Sequence, residues 1–527
     1  MKYRLHGIEI PYDQDLNTEL ERAVIERLAG GASSLVGFRA VRRSIDARQR
    51  PVRVVFSVDV ELAAGSQACP PGAIEVPPSA PLEVRPGKAP LTNPPVVVGG
   101  GPAGLFAALL LAEHGYSPLL LERGGDVQRR RQSRDRFQAD RVPDSECNAL
   151  FGLGGAGTFS DGKLTTGIRH PWLGAVLDIL VECGAPKSIR IDAKPHIGTD
   201  ILEKVVESLA ARIGRAGGVV RTGARVGELH TVDGKLTGVG TDTEKIDTET
   251  AVFAIGHSAR DTWEMLAGAG VAIEPKPFQI GIRVEHPQGW LDRVRYGDGA
   301  GHPALGAADY RLATRVEGVP VFSFCMCPGG ETIPTVNNAG HLALNGMSMS
   351  RRDSDFAGSG LVVTVAPEAF GGNDLASCLG FRSGVERACF EAGGSDYSAP
   401  GQRLVDFANG RLTGDPLPET SFRLGVVKTR LDELLPKQIA DPLRGSLPAF
   451  ERSLKGYLHP EAVALAPESR ASSPVRIVRD SKSREAPSPR GLFPAGEGAG
   501  YAGGIMSSAL DGLGAARMII ERYAPPR

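Results

Sequence analysis

Residues 94 to 125, PPVVVGGGPAGLFAALLLAEHGYSPLLLERGG, constrain the fold more than any other stretch. A short apolar strand (96–98) runs into Gly99-x-Gly101-x-x-Gly104, an apolar helix follows, and a second strand (119–121) ends at Glu122. Strand, glycine turn, helix and strand in this order make one unit of a parallel sheet with helices packed on it. In such a unit the first glycine makes the tight turn, the second lets a pyrophosphate approach the backbone, and the third lets helix pack on strand. The pyrophosphate then meets the free N–H groups and positive dipole end of the helix N-terminus. Glu122, 18 residues after Gly104, is where a carboxylate accepts hydrogen bonds from a ribose.

The far end of the chain carries a matching segment, GLFPAGEGAGYAGGIMSSALDGLG (491–514). A strand (492–494) leads to Gly496 and Glu497, and the small residues Gly503 and Gly504 open a helix at about Ile505. Two such segments closing on one dinucleotide point to FAD, with Glu497 toward the ribityl hydroxyls and the helix N-terminus toward the anionic side of the flavin. Between them, CNALFGLGGAGTFSDGKLTTG (147–167) has six glycines in 16 residues, too many for a stable helix or strand. Its Gly155, Ser160, Asp161 and Lys163 are expected near the flavin ring, although Asp161 and Lys163 could simply pair with each other. A third strand (250–255) ends at Gly256. Pro102, Ala103, Arg123 and Val226 complete the expected cofactor contacts.

Glycine is the skewed part of the composition: 67 of 527 residues against a usual share of ~7%. Sixty basic and sixty-one acidic residues leave a net charge of −1, so no global field steers the protein toward nucleic acid or anionic lipid. Seven cysteines, an odd number without Cys-x-x-Cys spacing, suggest reduced thiols and no metal site. No stretch approaches the ~18 apolar residues of a membrane helix, and the start lacks a secretory apolar region. A cytoplasmic protein is expected.

The expected organisation is α/β, or α+β overall. A β-α-β module of ferredoxin-like type (1–68) is followed by a linker with nine prolines (69–95). A Rossmann-like FAD-binding domain of the glutathione-reductase type is split into 96–257 and 481–527, with a substrate or cap domain (258–480) inserted.

The chain resembles the flavoproteins with two dinucleotide-binding domains, and within them a bacterial family of FAD-dependent dehydrogenases without an agreed substrate. The resemblance rests on VRRSIDARQR (41–50), FGLGGAGTFSDGKLTT (151–166), KPHIGTD (194–200), AIGHSARDTWEML (254–266), KPFQIGIRVEHPQ (276–288), FSFCMCPGGE (322–331), LNGMSMSRRDS (344–354), ASSPVRIVRD (471–480) and PAGEGAGYAGGI (494–505). It implies FAD, cytoplasm and redox chemistry, without a substrate. Leu153, where the family leads one to expect an acid, and Gly358, near which it leads one to expect an asparagine, depart from that pattern.

Candidates for the reacting residues lie in the insert. On a strand Arg283 and Glu285 share one face and His286 takes the other. Arg283 could anchor an anionic substrate and His286 could move a proton, or the three could be an ion pair and a structural histidine. Cys327, with Cys325, is a further candidate. One intervening residue in a regular strand separates such side chains by about 6.5–7 Å, near the upper limit for an unstrained disulfide, so packing or pocket-lining thiols are the expected reading. Lys194 and His196 form a second basic pair, and Thr199 or Asp200 resembles a helix N-cap.

Six arginines in 39–53 could bind RNA phosphate, but the stretch lacks an aromatic RNA-binding signature and docking against the FAD domain is expected. Seven more in 123–141 are expected near the FAD diphosphate or adenine, some of them solvated.

The sequence therefore predicts an FAD-dependent oxidoreductase that moves hydride between flavin and a small organic substrate. Reduced nicotinamide, if used, docks transiently, because no second glycine motif follows a strand. The protein is expected to be a monomer or homodimer with neither a membrane nor a nucleic-acid partner. The alternatives are a flavin-dependent RNA-modifying enzyme and a non-catalytic FAD-binding protein.

Overall fold

The computed structural model describes residues 2–28, 31–63, 72–76 and 82–526. The chain starts with β1 (Lys2–Pro11), α1 (Leu16–Glu26), β2 (Leu35–Asp46), β3 (Arg53–Leu62) and the short β4 (Ile74–Glu75). Their sheet order is β2-β3-β1-β4, and each described pairing is antiparallel. β3 thus splits the β-α-β unit by lying between its parallel strands, in the manner of a ferredoxin-like sheet.

The sequence of β2 shows no strand-like alternation, and the physical reason is visible. Register shifts after Leu35 and after Ala40 reset the alternation of its side chains, so no period of two survives in LVGFRAVRRSID. Three of the six arginines in 39–53 have acidic partners. Arg43 pairs with Asp192 at 2.7 Å across to the dinucleotide unit, Arg39 and Arg4 face Asp59, and Arg48 faces Asp46.

The expected linker is partly built into neighbouring structure: Ile74 and Glu75 extend the N-terminal sheet beyond residue 68. Gly87 N–H donates to the Ile520 carbonyl at 2.8 Å and Ala89 N–H to that of Arg522 at 3.1 Å. Pro70, Pro71, Pro77, Pro78 and Pro81 lie outside the described residues.

The dinucleotide unit follows as β5 (Val96–Val98), α2 (Pro102–Glu113), β6 (Leu119–Glu122), α3 (Val127–Asp140), α4 (Leu173–Glu182), α5 (Thr199–Arg215) and β7 (Val219–Thr222). Next come the meander β8 (Val226–Val232), β9 (Lys235–Thr241), β10 (Lys245–Asp247), then β11 (Ala251–Phe253) and α6 (Arg260–Gly268). The insert holds β12 (Ile273–Pro275), β13 (Phe278–Pro287), α7 (Gln288–Tyr296), β14 (Ala313–Val316), β15 (Val319–Cys327), β16 (Glu331–Pro334), β17 (Leu344–Met347) and β18 (Phe356–Val365). It continues with α8 (Leu375–Ala392), β19 (Ala399–Arg403), α9 (Leu404–Asn409), β20 (Val426–Lys428), α10 (Leu431–Leu434), α11 (Lys437–Ser453) and β21 (Val463–Glu468). The chain closes with β22 (Val475–Ile477), β23 (Leu492–Pro494) and α12 (Ile505–Arg522).

The first and last segments meet in one parallel sheet, β23-β11-β5-β6-β7. Its inner strands are buried on both faces, which explains the continuous apolar runs VVV and AVF. α2 is buried from Ala103 to Ala112 because α12 and α5 cover the sides that the sheet does not. The insert forms a seven-stranded sheet, β14-β15-β18-β13-β21-β19-β20, and β12 pairs with β22 where the chain leaves and re-enters the parallel sheet. α5 corrects one expected cap: its N-cap is Gly198 with φ +86°, and Asp200 instead binds the backbone N–H of Ser350 at 2.7 Å. Among the described residues no helix is long and apolar enough to cross a membrane.

Two glycines in helices test this packing. A Cβ at Gly512 of α12 would sit 1.9 Å from the Ala103 carbonyl oxygen, whereas one at Gly214 of α5 meets nothing within 4 Å. Gly512→Val is expected to cost about 3 kcal/mol of stability in urea denaturation. Gly214→Ala should gain up to ~1 kcal/mol, because alanine loses less backbone entropy in a helix.

Candidate functional site

The carboxyl ends of β5, β6, β11 and β23 open into one cavity, the position at which parallel α/β sheets bind ligands. Val98 and Gly99 follow β5, Glu122 and Arg123 end β6, Ala254 to Gly256 follow β11, and Gly496 and Glu497 follow β23. Gly101, Pro102, Ala103, Gly155, Ser160, Asp161, Lys163, Val226, Gly503, Gly504 and Ile505 also line it. Of the residues expected at a cofactor, only Gly104 is absent from the wall. Segments more than 400 residues apart in the chain are thereby brought to one surface.

The three motif glycines differ in what the protein itself requires. Gly99 has φ +104°, and a Cβ there would lie 2.3 Å from the Ala254 carbonyl oxygen. A Cβ on Gly104 would lie 1.8 Å from the Gly99 carbonyl oxygen. Gly101 has ordinary φ, and its Cβ would only touch Gly155 Cα at 3.8 Å. The fold thus explains Gly99 and Gly104 without a ligand, while Gly101 keeps open a space at the mouth of the α2 N-terminus. Gly256, Gly503 and Gly504 border similar open space, with nothing within 4 Å of a Cβ. This cradle of bare backbone at two helix N-termini fits a dinucleotide.

Two buried side chains shape that cradle. Glu122 accepts from the backbone N–H groups of Gly100 (2.6 Å), Gly124 (2.8 Å) and Gly152 (2.9 Å), tying three turns to one carboxylate. Arg130, fully buried on α3, spreads its guanidinium over the glycine-rich loop and donates to the carbonyls of Asn148, Ala149, Leu153 and Gly155 at 2.8–3.2 Å. Burial pulls its pKa down to about 10. Sequence reasoning counted Arg130 only as one of seven arginines near phosphate. Arg123, in the cavity wall, bridges Glu146 and Asp261 and stacks over Phe151 at 4.2 Å, so its charge is already used by the protein.

Asp161 and Lys163 do pair, at 3.0 Å, but in the cavity wall rather than on the surface. Asp161 is fully buried and also accepts from Arg352 and from the Ser348 hydroxyl. Lys163 and Arg352 hold its carboxyl well below the usual range against the opposing effect of burial. Glu497 faces the cavity in the opposite condition. Burial pushes its carboxyl up to about 8, with Lys276 the only opposing charge.

The candidate reacting residues are not where the sequence suggested. His286 is buried away from the cavity, donates from Nε2 to the Tyr457 carbonyl at 2.7 Å and stacks on Trp290 at 5.0 Å. Burial lowers its pKa to about 4, so it stays neutral near pH 7 and serves packing. Arg283 is also sealed from the cavity and pairs with Glu468 at 2.7 Å, whereas Glu285 accepts from the Ser421 backbone. Lys194 pairs with Asp309 at 2.7 Å, and His196 Nε2 lies 3.3 Å from the Ser350 carbonyl oxygen. Cys327 lies behind the wall and Cys325 forms part of it.

Sequence reasoning missed His257, which follows β11, and Phe324, Asn345 and Arg470, which the insert brings to the same cavity. Arg470 is buried, forks Glu386 at 2.9 and 3.0 Å and leaves Nη1 without a partner. Its position directly before the quoted ASSPVRIVRD run was the available signal; its direction needed the fold.

Family models match three stretches: an FAD-dependent protein, C-terminal domain-like model (277–471), an NAD(P)-binding Rossmann-like domain (97–144) and a domain of unknown function (4–61). A protein of Clostridium beijerinckii with no assigned function is 40% identical over 537 residues, covering 100% of both chains. The hydrogen cyanide synthase subunit HcnB of Pseudomonas protegens is 42% identical over 78 residues, 14% of this chain and 16% of that protein. Among solved structures, glycine oxidase from Bacillus cereus is 13% identical with a TM-score of 0.31, over 82% of this chain and 99% of its own. With a relative aligned from end to end and a matched FAD-dependent domain inside the insert, the chain belongs to a family of FAD-dependent oxidoreductases built on a Rossmann-like domain.

Proposed function

We propose that the cavity holds FAD with its pyrophosphate over Gly101 and the α2 N-terminus, its adenosine ribose toward Glu122 and its ribityl chain toward Glu497. The observation that carries this reading is the open space in front of Gly101, which packing alone does not require. When bound, FAD supplies a two-electron, hydride-transferring ring. The protein's part is to hold and orient it. Gly155, Ser160, Asp161, Lys163, Val226, Gly256, Gly503, Gly504 and Ile505 are the proposed remaining contacts.

The substrate in this reading is a small organic molecule meeting the ring where His257, Asn345 and Arg470 border the cavity. The Arg470 guanidinium in the cavity wall supports an anionic or carbonyl group there. Reduced nicotinamide, docking transiently, is the proposed second substrate. In this reading 96–257 and 481–527 form the cofactor domain, 258–480 the substrate domain and 1–68 a docked module, in a cytoplasmic monomer or homodimer. The Arg43–Asp192 ion pair, with the backbone bonds between Arg43 and residues 191 and 193, supports docking over RNA binding.

Gly101→Val tests the cofactor position. Purified variant should lack the visible flavin absorption and fail to regain it with added FAD, while its apoprotein unfolds within ~0.5 kcal/mol of wild type. A variant with normal flavin content would refute the placement. Arg130→Met should weaken FAD binding at least tenfold in a fluorescence titration, because the carbonyls it gathers lose their donor.

Glu497 gives a pH test. Its folded carboxyl titrates at about 8 against an ordinary 4.5, so the folded apoprotein binds the extra proton between those values. Apoprotein stability should therefore fall as pH rises from about 5 to about 8, and Glu497→Gln should flatten that slope in thermal melts.

A further inference from the structure

Near its end β15 departs from a regular strand. It pairs with β18 at Phe324↔Gly360 and next at Cys327↔Gly358, so one extra residue bulges from the ladder. Cys325 sits at φ +42°, a left-handed conformation that a non-glycine residue adopts only under constraint. The bulge overturns the spacing expected for a regular strand and brings the two sulfurs to 4.0 Å. Cys325 is half-buried in the cavity wall and Cys327 is fully buried behind it.

Two cations converge on this pair. Lys163, from the glycine-rich loop of the cofactor cavity, donates to the carbonyl of Met326, the residue between the cysteines. Arg283 reaches from β13 with no exposure to solvent; Glu468 occupies Nη1, and Nε and Nη2 have no hydrogen-bond partner among the described residues. A Cβ at Gly346 would lie 2.1 Å from Arg283 Nη2 and 2.7 Å from Cys327 Sγ, so guanidinium and sulfur crowd the same point. A guanidinium with unpaired nitrogens beside a buried sulfur favours a negative charge there.

Building on the reading that FAD occupies the cavity, we propose that Cys325 and Cys327 are a redox-active dithiol that exchanges two electrons with the flavin and, through Cys325, with a small disulfide substrate. Cys325 Sγ attacks the substrate disulfide as its proton passes to Cys327 Sγ 4.0 Å away, breaking the substrate S–S bond and expelling one thiol; Cys327 then attacks Cys325 Sγ and expels the second, so that the Cys325–Cys327 bond forms and the two electrons and the protons of the pair leave with the two product thiols. Reduction of the Cys325–Cys327 disulfide takes two electrons and two protons from FADH2 and leaves FAD. Reduced nicotinamide and a proton restore FADH2. Hydrogen bonding from Cys325, then Lys163 and Arg283, lower the pKa of Cys327 against burial and Asp161, and in the resting geometry its thiol donates to the Cys325 carbonyl at 3.1 Å. Cys325 correspondingly holds its proton.

The test is an anaerobic dithionite titration of the FAD-loaded protein after exposure to glutathione disulfide, with alkylation and peptide mass mapping of residues 319–331. Wild type should take up four electrons per FAD, and Cys325→Ser and Cys327→Ser two each. Before dithionite the mapped wild-type peptide should resist alkylation at both cysteines. Uptake of two electrons per FAD by wild type, with both thiols alkylated after the glutathione disulfide treatment, would overturn the dithiol and leave the FAD reading intact. Protein without bound FAD would overturn the cofactor placement instead, and the mass map alone would then decide whether the disulfide forms. Should either variant fail to fold, the wild-type electron count and mass map still give the answer.

Discussion

The cavity depends on one buried carboxylate. Glu122 receives N–H groups from the turn after β5, the turn after β6 and the glycine-rich loop, and backbone bonds from Gly154 to Gly100 and from Leu153 to Gly125 reinforce the same junction. A carboxylate buried with three charge-assisted donors is well satisfied, and losing it would leave three amides unpaired. Arg130 completes the arrangement from the other side by collecting the carbonyls of the same loop. Backbone donors go to the acid and backbone acceptors to the base. A glycine-rich segment with almost no side chains of its own is thereby given one shape before any cofactor arrives.

The same division explains how the insert joins the site. Asp161, at the end of that loop, is bound by Arg352 and Ser348 of the insert, and Lys163 reaches across to Met326 on β15. The contact between the cofactor unit and the seven-stranded sheet is therefore polar and specific at the cavity. Elsewhere it is continuous with a hydrophobic core that includes Trp263, Phe278 and Tyr457. Cys325 reaches the cavity because this joint fixes the end of β15, and Arg470, just after β21, is held there by Glu386 of α8.

How much of this was legible follows from the range of each interaction. The elements around Gly99 and Gly496 could be read almost to the residue, because strand, turn and helix there are set by local spacing and capping. β2 was not legible, because its register shifts erase the alternation that signals a strand. Arg283 and His286 looked chemical because of their residue types. Types do not reveal that one faces Glu468 and the other Trp290, both away from the cavity. For the cysteines the sequence provided the spacing, but only the bulge set the distance.

The sequence by itself therefore determined the dinucleotide unit and the convergence of its two halves, because a glycine that must accept a phosphate or a helix leaves a fixed local pattern. Tertiary structure alone decided which charges are spent on the fold and which face the cavity. Arg123 and Arg130 are consumed by carboxylates and carbonyls and Arg470 by Glu386, although Arg123 and Arg470 also line the cavity. The physical reason is that desolvation and pairing depend on neighbours hundreds of residues away, which residue identity and spacing do not encode.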